Sequence, residues 1–192
     1  KPSRRMDLVV MQRKVKESLI KGVTAYIVER SNKRYVSLGI PHRRGYLLCG
    51  PPDCGKSSVI NAIAGDFNLS VFSICLSSSE LTDDLLKGLV RSLPECALVL
   101  LEAVDASGLE SRTISSNNSK HNTKSSQSRA KTGITLFGLL NCIDGANAVE
   151  HRTLCMTTST SNTLDPALVH SGRIDMKVLF ANANHDVMRQ PF

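Results

Sequence analysis

The run Gly50-Pro51-Pro52-Asp53-Cys54-Gly55-Lys56-Ser57 has the spacing G-x-x-x-x-G-K-[ST]. A loop of that kind turns successive backbone N–H groups toward one point, where phosphate oxygens accept them, and the helix that follows adds its positive N-terminal dipole. Lys56 would pair with β- and γ-oxygens, and Ser57 would be a ligand to Mg²⁺. By average residue usage the four fixed positions coincide by chance in under about 1% of chains this long. The complementary group is an acid at the end of a neighbouring apolar strand, and Leu98-Val99-Leu100-Leu101-Glu102-Ala103-Val104-Asp105 supplies Glu102 for the metal side. Together these residues imply a site for a nucleoside triphosphate with Mg²⁺.

Such a loop works only between a strand and a helix, and the flanking patterns provide both. Tyr46–Cys49 is a short apolar run that predicts a strand, and 56–67 predicts a helix. The alternation continues with a strand at 71–76, a helix at 82–92, a strand at 97–101, a helix at 135–143, a strand at 154–157, a short helix at 166–169 and a strand at 176–180. Short continuous apolar strands separated by helices call for a mostly parallel sheet covered on both faces, an α/β three-layer sandwich of the P-loop NTPase type. Ahead of it, Val15, Leu19, Val23 and Ile27 recur every four residues among Lys, Arg and Glu. That spacing predicts an amphipathic helix within 8–30 that docks on the body. Residues 31–44 are polar, hold Gly39 and Pro41, and read as a connection. The stretch 106–133 has eight serines and almost no large apolar group, so it reads as a mobile surface insertion that cannot offset its ordering entropy.

The net charge of +7 divides unevenly: residues 1–22 carry +5, residues 106–133 carry +4 and the remainder −2. A basic arm and a solvated loop account for it better than a nucleic-acid face built into the fold, so nucleic acid is not the expected partner. The six cysteines form no C-x-x-C pair and no Cys/His cluster, which argues against zinc and a disulfide framework and fits a reducing compartment. No apolar run approaches the roughly 18 residues of a spanning helix. With no initiator Met and no apolar signal core at Lys1-Pro2-Ser3-Arg4-Arg5, the chain is expected to be a soluble piece of a longer protein.

Taken in order, several stretches resemble an AAA ATPase, and more narrowly the family of the mitochondrial inner-membrane AAA protein that translocates the Rieske iron–sulfur subunit during complex III assembly. They are Arg43 through Pro52, Cys54-Gly55-Lys56-Ser57-Ser58, Leu81-Thr82-Asp83-Asp84, Leu100-Leu101-Glu102, Gly138 through Gly145, Met156-Thr157-Thr158, Leu164-Asp165-Pro166-Ala167-Leu168 and Gly172-Arg173-Ile174-Asp175. The resemblance implies an AAA large subdomain at 43–180, preceded by the helix and connection at 1–42 and followed at 181–192 by the start of a truncated lid. It implies ATP and Mg²⁺ at Gly50 through Ser58, with Glu102 also on the metal. It further implies a homo-oligomeric ring, a protein substrate, a matrix-facing location at the mitochondrial inner membrane, and a membrane segment ahead of residue 1.

The chain departs from the family pattern at four positions. Asp53 stands where the family has Gly; Asp tolerates positive φ, but a carboxylate about 7 Å from a phosphate repels each unit charge by about 2 kcal/mol at an effective dielectric near 20. Ala103 occupies the place of the acid that polarises water, and a methyl group does no acid–base work, a loss of about 10²- to 10⁴-fold. Asp105, two residues on along an extended strand, offers a substitute. Ser159 replaces the Asn that orients water and γ-phosphate, with a shorter reach. His170 replaces the first of two neighbour-facing arginines and lacks the guanidinium fork, leaving Arg173 as the finger or as a surface partner of Asp175. These changes spare the groups that hold nucleotide and strike those that cleave it.

The expectation is therefore an ATP-binding AAA module with weak hydrolysis, the alternative a catalytically inactive nucleotide-binding or structural subunit. A nucleic-acid motor would rest on the basic arm alone. Cys54 is expected to be an inert loop filler, His42, His121, His151 and His185 to be solvated, and Tyr46 and Phe137 to be packing residues.

Overall fold

The computed structural model describes residues 5–29, 37, 39, 41–105, 133–145, 148, 150–160, 162 and 164–181. The insertion at 106–132, the lid segment at 182–192, His121, His185 and most of the connection at 31–40 lie outside them.

Five strands, β1 (Arg43–Cys49), β2 (Val71–Cys75), β3 (Leu98–Glu102), β4 (Arg152–Thr158) and β5 (Met176–Leu179), form one sheet in the order β2-β3-β4-β1-β5. Every pairing is parallel, with Leu47 opposite Met156 and Lys177, and Leu101 opposite Met156 on the far side. The helices are α1 (Arg13–Glu29), α2 (Lys56–Asp66), α3 (Asp83–Ser92) and α4 (Leu136–Asp144), preceded by a single 3₁₀ turn at Met6–Leu8.

Alternation along β1 divides the core. Tyr46 and Leu48 join Leu19 and Val23 of α1 and Val59, Ile60 and Ile63 of α2 on one face. Leu47 and Cys49 face the other way, toward Leu86 of α3 and Leu139 of α4. The sheet is thus covered on both faces, as its runs of consecutive apolar residues require. Of the periodic residues of α1, Leu19 and Val23 are buried while Val15 and Ile27 pack at the core margin. The helix runs Arg13–Glu29, within the stretch 8–30 and over all four periodic residues.

Some expectations are corrected by the structure. The segment Pro166–Val169 is a turn held by Leu168 N–H to Asp165 O and Val169 N–H to Pro166 O, bonds that are not propagated into a helix. Strand β1 starts at Arg43, earlier than expected, because the charges of Arg43 and Arg44 are met at the strand by Asp144 and Asp175. His42 is buried, its ring stacked 4.5 Å from that of Tyr26, and its Nδ1 lies 3.2 Å from Nδ1 of half-buried His151. Tyr26 Oη donates to the carbonyls of His42 and Arg152, so Tyr26 fastens α1 to the starts of β1 and β4. Tyr46 is a core residue, but Phe137 is 75% exposed among the described residues. Among the described residues no helix is long and apolar enough to cross a membrane.

Candidate active site

Gly50 leaves β1, which lies between β4 and β5, in a narrow gap. Its N–H donates to Thr158 O at the end of β4, while Phe180 N–H donates to Cys49 O on the β5 side. A Cβ at Gly50 would lie 2.4 Å from Phe180 O, and its φ is +155°, so only glycine fits where the loop begins. From there Asp53 takes φ +60° and Gly55 φ +91°, and Gly55 is the N-cap of α2. Asp53 is exposed and adopts the left-handed turn that Asp tolerates.

The start of α2 differs from those of α3 and α4. Thr82 accepts from Leu85 N–H and caps α3; Thr135 accepts from Gly138 N–H and caps α4. At α2 the N-cap is Gly55, which makes no side-chain cap hydrogen bond, and the first turn carries no acid. The orphan donors of this helix are left for an anion.

Lys56, half-buried, folds its Nζ back on the loop and donates to Gly50 O at 2.7 Å, Pro51 O at 2.5 Å and Cys54 Sγ at 3.5 Å. Ser57 Oγ lies 3.5 Å from Glu102 Oε1. This hydroxyl and carboxylate come from elements 45 residues apart, and two hard oxygen donors side by side next to a phosphate loop suit Mg²⁺. Ser58 follows in the first turn of α2, and Pro52 stands exposed on the loop.

Beyond Glu102 the strand ends abruptly. Ala103 has φ +55°, so the extended geometry from which Asp105 was placed beside Ala103 does not apply. The turn instead lets Val104 N–H donate to Thr157 O and brings Asp105 to Ser159. Asp105 Oδ2 accepts the Ser159 N–H at 3.1 Å and also the Ser159 hydroxyl. At the nearby end of β1, burial pushes the Cys49 thiol up, opposed by the charges of Lys177 and Lys56 and reinforced by Asp105.

Arg173 lies elsewhere. Its carbonyl oxygen would touch a Cβ on Gly45, five residues before Gly50 and thus about 16 Å back along β1. Its partner is not Asp175: Arg173 Nη2 lies 3.2 Å from Asp144 Oδ2, and Nη1 donates to Ala167 O at 2.6 Å. Asp144 also meets Arg43, while Asp175 accepts the Gly45 N–H and faces Arg44. His170 is exposed, with Nδ1 2.6 Å from Ser171 O.

The fold thus gathers Gly50 through Ser58, Glu102, Asp105 and Ser159 at the C-terminal ends of β1, β3 and β4, and leaves Arg173 and His170 apart. Two supporting acids escaped the sequence reading, Asp144 and Asp83. Asp83 Oδ1 and Oδ2 accept from Thr135 N–H and Oγ1–H at 2.8 and 2.6 Å, tying the capped starts of α3 and α4 together. Both acids act over 29 to 101 residues of sequence, a range at which spacing carries no signal.

Residues 46–182 match the family described as "ATPase family associated with various cellular activities (AAA)". The chain is similar to "Mitochondrial chaperone BCS1" of Bos taurus and of Homo sapiens, 39% identical in each case over 100% of this chain and 44% of the relative. It is 37% identical to "Probable mitochondrial chaperone bcs1" of Schizosaccharomyces pombe over 98% of this chain and 39% of that one. The chain thus spans less than half the length of the curated relatives it matches. A five-stranded parallel sheet in the order β2-β3-β4-β1-β5, a phosphate loop at the end of β1 and these matches agree, and the chain belongs to the AAA ATPase family, beside the BCS1 mitochondrial chaperones.

Proposed function

We propose that this chain is the ATP-binding module of a BCS1-like AAA protein, and that it holds Mg-ATP well but hydrolyses it slowly. The observation that carries the reading is the uncapped start of α2 beneath Gly50 through Gly55, with Lys56 and the Ser57–Glu102 pair on its flanks. The loop N–H groups take phosphate oxygens, and Lys56 trades the carbonyls of Gly50 and Pro51 for the β- and γ-oxygens. Ser57 and Glu102 would hold Mg²⁺, which when bound neutralises charge on those oxygens.

Slow turnover follows from what the remaining residues offer. Ala103 brings no acid–base group, the Ser159 hydroxyl is engaged by Asp105, and Arg173 is paired with Asp144 inside its own subunit. A finger acting on a neighbour's γ-phosphate would have to leave that partner. These engagements equally favour a second reading, a subunit that binds nucleotide without turning it over. Steady-state ATPase assays on the wild type and Ala103→Asp separate the two: slow wild-type turnover raised by the variant supports the first reading, and no turnover in either supports the second.

By its likeness to the BCS1 chaperones, the full protein would work as a homo-oligomeric ring on a protein substrate, facing the matrix at the mitochondrial inner membrane. Fractionation of mitochondria and native mass spectrometry of the full-length protein test the location and the ring.

A further inference from the structure

Two carboxylates stand at the end of β3, and the ligand chemistry uses one of them. Glu102 faces Ser57 on the metal side. Asp105 is half-buried and follows the left-handed turn at Ala103. Its Oδ2 is gripped by the backbone N–H and hydroxyl of Ser159. Ser159 directly follows Thr158, whose carbonyl accepts the N–H of Gly50, the first residue of the phosphate loop. The Asp105 carboxylate is thereby fixed one residue beyond the contact that anchors the loop. A carboxylate so held keeps its place and orientation, which is what a group directing a water toward a bound phosphate requires.

We propose that Asp105, oriented by Ser159, directs and deprotonates the water that attacks the γ-phosphorus, in the role that Ala103 cannot fill. The inference rests on the nucleotide-binding reading of the loop. The water oxygen bonds to the γ-phosphorus as the bond from that phosphorus to the β,γ-bridging oxygen breaks. The electron pair of that bond leaves with ADP, and one water proton passes to the Asp105 carboxylate and then to solvent. Ser159 is a positioning residue: it acts through Asp105.

The test pairs Mg-ATP binding, read by calorimetry, with steady-state kcat for the wild type, Asp105→Asn, Asp105→Glu, Ser159→Ala, Ala103→Asp and Ala103→Asp/Asp105→Asn. Asp105→Asn is expected to lower kcat by about 10²-fold or more while the ATP Kd changes little. Asp105→Glu should retain part of the rate, and Ser159→Ala should lower kcat by a smaller factor. With a carboxylate restored by Ala103→Asp, removing Asp105 should cost only a few-fold. A purely structural Asp105 would cost the same factor in both backgrounds, and that result overturns the proposal, as does an unchanged kcat in Asp105→Asn. If Asp105→Asn fails to fold, Asp105→Glu and Ser159→Ala decide by the same kcat-against-Kd split. A wild type that binds ATP without turning it over also overturns this proposal and leaves the binding site standing. A wild type that does not bind ATP overturns both.

Discussion

Arg173 and Asp144 meet at 3.2 Å within one subunit, and Arg43 approaches the same carboxylate from β1. The pair ties the turn after Leu168 to the end of α4 and holds the arginine proposed as the finger. Replacing Asp144 by Asn should therefore release Arg173. The expected destabilisation is modest, about 1 kcal/mol or less, because these side chains remain a fifth to a third exposed. Arg173→Ala, by contrast, should leave ATP affinity intact and remove turnover. Urea denaturation reads the first effect, and parallel binding and ATPase assays read the second.

Ala103 carries a left-handed backbone without the polar side chain that eases it. Ala103→Gly is expected to raise stability by up to about 1 kcal/mol, a gain visible in the denaturation midpoint. Ala103→Asp should fold without loss, since Asp tolerates this region better than Ala.

The starts of α3 and α4 share Asp83, and a Cβ on Gly138 would lie 2.1 Å from the Asp83 Cγ. Gly138→Ala should cost about 1–3 kcal/mol by overpacking. Thr135→Ala should cost about 1 kcal/mol through the lost cap, and it leaves Asp83 only the backbone N–H of residue 135 as a donor there. Thermal unfolding of the two variants and of Asp83→Asn measures how strongly the three positions are coupled.

Burial pushes the Tyr46 hydroxyl and the Cys155 thiol up to about 12. Both groups lose their protons earlier in the unfolded chain, from ordinary values of 10.0 and 9.0. The unfolded state then binds fewer protons, so stability is fully present below about pH 9 and falls as pH rises toward 12. Denaturation midpoints across that window should decline steadily. In the native protein, exposed Cys75 should react first with a thiol reagent, and Cys155 only on unfolding. Mg-ATP should slow the reaction of Cys54, whose Sγ lies 3.5 Å from Lys56 Nζ.

Elements whose cause is local were readable in the sequence. The phosphate loop, its strand and its helix follow from residues adjacent along the chain, and the parallel sheet follows from apolar runs such as Leu98 through Leu101. What was not readable depends on meetings in space. His42 looks like a solvated histidine until Tyr26 stacks on it; Arg173 has Asp175 two residues away yet pairs with Asp144; and one positive φ at Ala103 decides where Asp105 goes. Each is a tertiary contact or a backbone reversal, and neither leaves a periodic trace.

The central claim, that Gly50 through Ser57 grips a triphosphate, is tested most directly by thermal unfolding of the wild type and Lys56→Ala with saturating Mg-ATP. The account predicts stabilisation of the wild type, about 2.7 kcal/mol at a hundred times Kd, and little or none for the variant. A wild type that unfolds at the same temperature with and without Mg-ATP would contradict it.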